Sequence, residues 1–282
     1  MKKILLLGAT GLLGYHIYKA LNQKFTVMPT SRKKNRGKQF LLLDINNFNQ
    51  LKDIMTKYSP DVIVNCIAFT DVDKAETQKK ITHDINVKSI ENIIKTSPVK
   101  SKIIHISSDY VFDGIKSSYN EEDSTFPINY YGKTKLEAEN ILIGSNRDVL
   151  IFRLNVLFSG IKEQNNFFSW IYNSLIKNKP IDVVVDQISN PVYIPSFIEI
   201  LIDSILLNYT GLYHYGSMNP ISRYQFAVNI SKALGMNRFT MYFKIILPCA
   251  FRQALPAYGN EMILMVKATS LISLTTYMEM TG

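Results

Sequence analysis

The sequence places a tyrosine and a lysine four residues apart, at Tyr131 and Lys135, after a serine-rich segment that ends an apolar run. Residues four apart share one face of a helix, so the phenol and the ammonium are expected to lie side by side. An ammonium lowers the pKa of a nearby phenol, and such a phenol can protonate a carbonyl oxygen. The hydroxyl of Ser108 is expected to hold the same oxygen. These three residues therefore predict a site for carbonyl reduction.

A second pair with the same spacing, Tyr15 and Lys19, shows that the pattern alone is not decisive. This pair falls within the first predicted helix, which should pack along a sheet away from the strand tips. We interpret Tyr15 and Lys19 as structural, because the serine-rich strand end that the site needs precedes only the later pair.

Three glycines spaced three apart lie between the first apolar run, Ile4 to Leu7, and a stretch with helical periodicity. The run is short and wholly apolar, which is typical of a strand buried on both faces. A strand, a glycine turn and a helix N-terminus together form a phosphate site. A purely structural unit and a signal peptide are weaker interpretations, since polar Thr10 and the glycines interrupt the apolar run. The predicted cofactor contacts of this loop are Gly8, Thr10, Gly11, Leu12, Leu13 and Gly14.

Short apolar runs then alternate with helical stretches, which predicts a Rossmann-like, doubly wound parallel sheet of the α/β class. The predicted later strands are 25–27, 40–43, 62–67 and 103–106, and the predicted helices are 48–58 and 81–95. Parallel sheets of this kind bind ligands at the carboxyl ends of their strands. Asp44 and Ile45 are therefore expected near an adenine ring, and the nicotinamide side is expected at Cys66, Ile67 and Ala68.

The residues that end the second strand predict the type of cofactor. An acidic residue near this point binds the ribose 2′-hydroxyl of NAD, whereas an arginine accommodates the 2′-phosphate of NADP. Here the acid is missing, and Ser31 and Arg32 are followed by further basic residues. This favours NADPH, although a loop of solvated charges remains the alternative interpretation.

The charge of the chain is uneven. The formal net charge is +9, yet the chain has no acidic residue before Asp44 and nine basic ones, so its other 23 basic residues balance its 23 acidic residues. The excess lies mostly in 32–38, and no interleaved aromatic platform accompanies it, so a nucleic-acid partner is not favoured. The two cysteines and four histidines show no spacing typical of a disulfide framework or a metal site. We expect no metal.

Several motifs run in a shared order through the first 240 residues: GATGLLG (8–14), NCIAFTDVDKAE (65–76), SSDYVFDG (107–114), PINYYGKTKLEAE (127–139), DQISNPVY (186–193) and GLYHYGSMNPISRYQFA (211–227). In these motifs the chain resembles the dTDP-4-dehydrorhamnose reductase family, within the extended short-chain dehydrogenases/reductases. The related 4,6-dehydratases place a glutamate two residues after the catalytic Ser or Thr. Here that position is Tyr110, which argues against dehydration.

The resemblance implies that Tyr131 protonates the C4 keto oxygen of a nucleotide-linked 4-keto-6-deoxyhexose. It further implies that Lys135 bonds the nicotinamide ribose and that Ser108 polarises the carbonyl. NADPH would deliver the hydride, in the cytoplasm, for surface-polysaccharide synthesis. A tryptophan of the family is Val156 here, which leaves another deoxysugar open. The substrate contacts implied are Ser108, Asp109, Tyr110, Tyr131 and Asn155.

The resemblance also implies a domain division and an unusual end of the chain. Residues 1–150 are expected to form the NADP-binding domain, to which later segments return, and 151–240 a truncated sugar-nucleotide region. Residues 241–282 resemble instead a permease subunit of polar amino-acid ABC transporters, in ILP (246–248), AFR (250–252), ALPAYGNE (254–261) and KATSL (267–271). The alternative is a divergent reductase terminus with accidental similarity. One apolar segment broken by Lys267 is not a bundle of spanning helices, so we expect no stable membrane insertion.

Two other functions stay open at this point. A regulatory subunit of methionine adenosyltransferase resembles the same reductase family, so a non-catalytic NADP-binding regulator is one alternative. An inactive fusion is the other. The joint presence of Ser108, Tyr131 and Lys135 favours the enzyme, and a homodimer is left open.

Overall fold

A computed structural model describes residues 1–33, 40–116, 118–160 and 166–250 of the chain. The strands in these residues are β1 (Lys3–Leu7), β2 (Thr26–Ser31), β3 (Leu41–Leu42), β4 (Val62–Asn65), β5 (Lys102–Ser108), β6 (Val149–Leu154), β7 (Leu157–Phe158), β8 (Ile188–Ser189), β9 (Val192–Tyr193), β10 (Gly211–Tyr215) and β11 (Ile221–Ser222). The α-helices are α1 (Leu12–Leu21), α2 (Phe48–Tyr58), α3 (Val72–Thr77), α4 (Lys79–His83), α5 (Ser89–Thr96), α6 (Tyr130–Ile143), α7 (Phe167–Ile176), α8 (Ile194–Leu206), α9 (Arg223–Ala233) and α10 (Arg238–Met241).

Seven strands form the central sheet, in the order β10-β6-β5-β4-β1-β2-β3. Every neighbouring pair in this sheet is parallel. The chain leaves β1 for β2 and β3 on one side, and then returns to place β4, β5 and β6 on the other. The order therefore reverses between β1 and β4, and a doubly wound sheet binds its ligands at the strand ends beside such a reversal. The predicted parallel α/β sheet is confirmed.

Two apolar layers cover the sheet, one on each face. In β1, Ile4 and Leu6 pack into the layer that contains α1 and α8, while Leu5 and Leu7 pack into the layer of α2, α5 and α6. All four side chains are fully buried. Alternate residues of a strand point to opposite faces, so an unbroken apolar run is what a strand covered on both sides requires.

Element boundaries differ from the prediction at three places. The strand predicted for 62–67 ends at Asn65, because the Asn65 side chain accepts a hydrogen bond from the Ile67 backbone N–H (3.1 Å) and turns the chain away. The strand predicted for 103–106 continues through Ser108, which pairs with Leu154 of β6. A π-helical turn, Asp84–Lys88, separates α4 from α5 within the helix predicted for 81–95.

The chain divides into two compact units. The first contains the described residues of 1–160 and 190–219, and thus the whole seven-stranded sheet. The second contains those between Ile161 and Ser189 and those from Pro220 onward. In the second unit α7 and α9 pack together through the rings of Phe167 and Phe226, whose centroids are 5.8 Å apart. The N–H of Ile181 there donates to the carbonyl of Lys244 (2.8 Å).

Two absences hold for the residues described above. No helix among them is long and apolar enough to span a membrane. No group of three or more His, Cys, Asp or Glu side chains among them is placed to hold a metal ion. Residues 251–282, which carry most of the permease resemblance, lie outside the described residues, as do 34–39 of the basic run.

Candidate active site

The glycine loop between β1 and α1 is held tightly against the sheet. Gly8 has a φ of +83°, a left-handed conformation that favours glycine. A Cβ on Gly14 would lie 2.2 Å from the carbonyl oxygen of Gly8, so only glycine permits this approach of the helix to the loop. A Cβ on Gly11 would meet only the Gly8 oxygen, at 3.5 Å, which leaves the space beside the loop open.

That open space lies at the N-terminus of α1. Gly11 is the N-cap residue, and no side chain caps the helix. The first backbone N–H groups of a helix lack intrahelical partners and attract anions. Leu13 is buried in the core beneath the loop, whereas Thr10 and Gly11 are exposed. The loop therefore fits a pyrophosphate, which would fill the space that a side chain at Gly11 would take.

The end of β2 lies beside this loop, because the Ala9 N–H donates to the carbonyl of Thr30 (3.0 Å). Ser31 is buried, and its hydroxyl donates to the carbonyl of Lys33 (2.6 Å). Arg32 is exposed between them. The guanidinium thus comes from the residue that follows β2, where the sequence predicts a contact with a 2′-phosphate.

Asp44 and Ile45 follow β3 and differ in exposure. Asp44 is exposed and its carboxylate accepts a hydrogen bond from the Asn46 N–H (3.1 Å). The side chain of Ile45 is buried in the apolar layer with Leu5 and Leu7. A ligand at this edge could therefore reach the carboxylate of Asp44 but not the Ile45 side chain.

The end of β4 forms the other wall of the glycine loop. A Cβ on Gly8 would lie 3.0 Å from Cγ1 of Ile67, so the two segments touch. Cys66 and Ala68 flank Ile67 and are partly exposed. The Cys66 residue is partly exposed, but its thiol is buried, and this burial raises the thiol pKa to about 12, so the thiol is uncharged at neutral pH.

Ser108 and Tyr131 come together from different elements. Ser108 ends β5, and Tyr131 is the second residue of α6. Gly132 permits the approach, because a Cβ there would lie 2.1 Å from the Tyr110 carbonyl oxygen. The Ser108 hydroxyl lies beside the Tyr131 phenol, and it donates its proton to the Asp109 carboxylate (3.0 Å). The structure thus places Ser108 and Tyr131, both predicted site residues, side by side.

The pKa of Tyr131 differs from the expectation that a nearby ammonium lowers it. Burial raises the pKa of Tyr131 to about 12, and the neighbouring Ser108 hydroxyl opposes this rise only in part. The charges of Asp109 and Tyr110 raise it further. The physical reason is that Tyr131 is 8% exposed, and removal from water disfavours the charged form of a phenol. Tyr131 therefore stays protonated at neutral pH.

Lys135 is 1% exposed, and its amine is held from the sheet side. Nζ donates to the carbonyl of Ile106 (2.7 Å) and lies 3.2 Å from Nε2 of His105. Burial lowers the pKa of Lys135 to about 8, while the charges of Glu139 and Cys66 act in the opposite direction. The Lys135 amine therefore gains or loses its proton near pH 8. Lys135 follows Tyr131 by one turn of α6.

Asn155, a predicted substrate contact, lies just beyond β6 and is partly exposed. Its side-chain oxygen accepts a hydrogen bond from the Val156 N–H (2.6 Å). Val156 in turn accepts from the Val192 N–H through its carbonyl (2.8 Å). The backbone of the next residue therefore orients the Asn155 side chain.

Sequence reasoning missed several buried polar groups around Lys135. His105 and Asn65 lie behind its amine, and Glu139 forms a buried ion pair with Arg153 (2.7 Å). One signal was available for Glu139, which stands four residues after Lys135 and so shares its helix face. None was available for the other three, because their contacts depend on how the strands pair.

A sheet in the order β3-β2-β1-β4-β5-β6 with a glycine turn after β1 defines the doubly wound class of α/β protein, which binds dinucleotides at its strand ends. The family model described as "RmlD substrate binding domain" matches residues 1–258. The chain belongs to this family. The match extends beyond residue 240, where the sequence resemblance was expected to end.

Individual relatives agree with this assignment. A dTDP-4-dehydrorhamnose reductase of Aggregatibacter actinomycetemcomitans is 34% identical, over 82% of this chain and 78% of the relative. A methionine adenosyltransferase 2 subunit beta of Xenopus tropicalis is 27% identical, over 83% and 73%. The crystal structure of a dTDP-4-dehydrorhamnose reductase from Bacillus anthracis in complex with NADP superposes with a TM-score of 0.77 at 28% identity, over 84% of this chain and 82% of the other.

Proposed function

We propose that this chain is an NADPH-dependent reductase of the C4 keto group of a nucleotide-linked 4-keto-6-deoxyhexose. The observation that carries the proposal is the contact between Ser108 and the buried, protonated phenol of Tyr131. dTDP-4-dehydrorhamnose, reduced to dTDP-L-rhamnose, is the first substrate to test, because reductases of that name are 28–34% identical to the chain. NADPH and sugar nucleotides are made in the cytoplasm, where we place the enzyme.

The proposed chemistry divides between cofactor and protein. When bound, NADPH supplies the hydride that reduces C4. The Tyr131 phenol gives its proton to the C4 oxygen, so that a carbonyl becomes a hydroxyl with one hydride and one proton added. The Ser108 hydroxyl donates to the same oxygen and favours the developing negative charge. The phenolate left on Tyr131 regains its proton from solvent.

The cofactor residues have separate proposed roles. The N–H groups at the start of α1 bind the pyrophosphate, and Arg32 binds the 2′-phosphate. Lys135 bonds the nicotinamide ribose, beside the end of β4. We further propose that residues 1–150, with later segments that return to the sheet, bind NADPH, and that 151–240 contribute to binding of the sugar nucleotide.

Two alternatives remain hypotheses. A non-catalytic NADP-binding regulator is favoured by the methionine adenosyltransferase relative, and the presence of Ser108, Tyr131 and Lys135 together supports the enzyme instead. An inactive fusion with a permease segment is the other, and its support is the sequence of 246–271 alone. The family match to residue 258 weakens it. A homodimer is neither required nor contradicted by the proposed site.

The test of the proposed function is a titration of the purified full chain with NADPH and with NADH, followed by nicotinamide fluorescence. We expect selective binding of NADPH. dTDP-4-dehydrorhamnose is then added, and oxidation of NADPH is expected from the loss of nicotinamide absorbance. Binding without turnover of this sugar or of other nucleotide-linked 4-keto-6-deoxyhexoses would contradict the enzyme and favour the regulator.

Replacing Arg32 with Asp should reduce the preference for NADPH over NADH by about tenfold to a hundredfold, the value of a charge-assisted contact with a phosphate. The change removes the cation proposed to bind the 2′-phosphate and supplies a carboxylate that can bind a 2′-hydroxyl. The ratio of the two dissociation constants measures the effect. Lys24→Asp, an equal change of charge at an exposed residue before β2, is the control. Equal effects of both variants would remove Arg32 from the phosphate site.

A further inference from the structure

The first turn of α6, which carries Tyr131, is held from outside the helix by a carboxylate of α3. The Glu76 carboxylate accepts a hydrogen bond from the backbone N–H of Tyr130 (2.6 Å), the residue before Tyr131. Tyr130 is the first residue of α6, and the N–H of a first helical residue has no partner within its own helix. Asn129, the N-cap residue, accepts from a different N–H, that of Gly132 (2.8 Å). Glu76 therefore supplies the partner that the helix cannot give to Tyr130.

Glu76 belongs to the segment that leaves the end of β4. Residues 66–68, which are proposed to lie beside the nicotinamide, lead into α3 within a few residues. Asp71 caps that helix, because its carboxylate accepts from the Lys74 N–H (3.0 Å). Ala75, next to Glu76, is fully buried and anchors α3. The chain from the β4 end to Glu76 is thus short, capped and anchored, so a contact of Glu76 with α6 fixes this wall against α6.

Two further contacts join the residues after α3 to α6. Nζ of Lys79 lies 5.5 Å from the centre of the Tyr130 ring. Nε2 of His83 lies 3.3 Å from the carboxylate of Glu137. Lys79 and His83 are the first and last residues of α4, so this helix stays attached to α6 without Glu76. Loss of the Glu76 carboxylate should therefore loosen the first turn of α6 and not separate the helices.

The proposed reaction requires an accurate separation between the two sides of this contact. The nicotinamide delivers the hydride to C4, and Tyr131 delivers the proton to the oxygen that is bonded to C4. Because one bond joins these two atoms of the sugar, both donors must be placed correctly at the same time. A misplacement of about 1 Å can lower a rate by about 10²-fold. The wall beside the nicotinamide and the first turn of α6 must therefore be held together.

We propose that Glu76 is a positioning residue for Tyr131: its carboxylate holds the Tyr130 N–H and so fixes the first turn of α6 against the segment that follows β4. The inference rests on the proposed function, because it concerns the placement of the same proton donor. The role assigned to Glu76 is placement and not proton transfer. Glu76 is exposed, and replacement of an exposed side chain changes stability little. A loss of turnover in a Glu76 variant would therefore report on placement.

The first test is steady-state kinetics of the full chain. Glu76→Ala removes the acceptor and should lower kcat by about tenfold to a hundredfold. The KM for the sugar nucleotide and the Kd for NADPH should stay within about threefold. Glu76→Gln keeps an oxygen that can accept the Tyr130 N–H, so its kcat should lie within about threefold of the unmodified chain. Asp73→Ala removes another exposed carboxylate of α3 and should leave kcat unchanged.

Two kinetic results would contradict the proposal. Full turnover in Glu76→Ala would mean that the contact does not place the proton donor. Equal losses of kcat in Glu76→Ala and Glu76→Gln would mean that the side-chain oxygen of residue 76 does not act as the acceptor for α6.

The second test needs no turnover and uses nuclear magnetic resonance of the cofactor-free full chain. The Tyr130 amide should exchange its hydrogen about tenfold or more slowly in the unmodified chain than in Glu76→Ala, which lacks the hydrogen bond to a charged group. The ¹³Cζ signal of Tyr131, assigned by its loss in Tyr131→Phe, should shift in Glu76→Ala and stay unchanged in Asp73→Ala. A Tyr131 signal that is the same in Glu76→Ala and in the unmodified chain would overturn the proposal.

Failure of this proposal and failure of the proposed function give different results. If the chain does not reduce a sugar nucleotide, the Tyr130 exchange rate and the Tyr131 signal still decide whether Glu76 places Tyr131. If the Tyr130 amide of the unmodified chain exchanges as fast as a solvated amide, the positioning role is wrong whether or not any variant folds. The reductase activity is then left to its own assay.

Discussion

Tyr131→Phe should lower kcat by about 10³-fold, within the range of about 10² to 10⁴ that a positioned acid contributes. The phenyl ring keeps the volume of the buried side chain but carries no proton for the C4 oxygen. Because the proposed phosphate contacts lie at the glycine loop and not at this ring, the dissociation constant for NADPH should stay within about twofold, well under 1 kcal/mol. Single-turnover oxidation of NADPH measures the first effect, and fluorescence titration measures the second.

The control for this prediction is Tyr15→Phe, the same chemical change in the other Tyr–Lys pair. This pair lies on α1, where Nζ of Lys19 is 5.1 Å from the centre of the Tyr15 ring. The proposed chemistry uses neither of these two side chains. Turnover should be unaffected by Tyr15→Phe. Equal losses in both variants would mean that phenol removal acts through the fold. Loss of NADPH binding in Tyr131→Phe would make Tyr131 structural.

The pH dependence of the reaction follows from the same phenol. A donor must be protonated, and burial raises the pKa of Tyr131 to about 12, so the free protein carries the donor form throughout the neutral range. An acid with so high a pKa gives up its proton reluctantly. The neighbouring Ser108 hydroxyl acts in the helpful direction, because it lowers this pKa. Ser108 thus has a role on the phenol as well as its proposed role on the carbonyl.

The parts of this site that sequence predicted are those set by local patterns. The glycine loop follows directly from the buried strand before it, and Tyr131 and Lys135 share a helix face because a helix repeats every 3.6 residues. Ser108 joins them because parallel strands end at a common edge, which the alternation of strands and helices already implies.

What sequence could not predict depends on contacts between distant segments. The direct pairing of Asn65 with His105 is a matter of strand register, and a shift of one residue would turn both side chains to the opposite face. The direction of the Lys135 amine, toward His105 and the Ile106 carbonyl, follows from that register. Ile45 was predicted as a cofactor contact, and the packing of a whole layer is what buries its side chain.

The ion pair between Glu139 and Arg153 shows the same dependence on distant contacts. Arg153 stands on β6 beside Ser107 of β5, and Glu139 stands on α6 above both strands. The guanidinium donates to Glu139 through Nη2 (2.7 Å) and Nε (3.1 Å), and the Ser107 hydroxyl donates to the same carboxylate. Glu139 is 1% exposed, so these donors replace all of its water. The buried carboxylate is therefore stable only while these donors remain.

Arg153→Met should therefore destabilise the protein by about 3–5 kcal/mol, the cost of leaving one member of a buried ion pair without its partner. Urea unfolding measures the loss. The double variant Glu139→Gln with Arg153→Met should lose less than Arg153→Met alone, because no buried charge is then left over. Lys95→Met, which breaks an exposed pair with Glu91 (3.0 Å), should change stability by less than about 1 kcal/mol. If Arg153→Met costs no more than Lys95→Met, the pair contributes little to the fold, and its role would lie in the charge that Glu139 presents to Lys135.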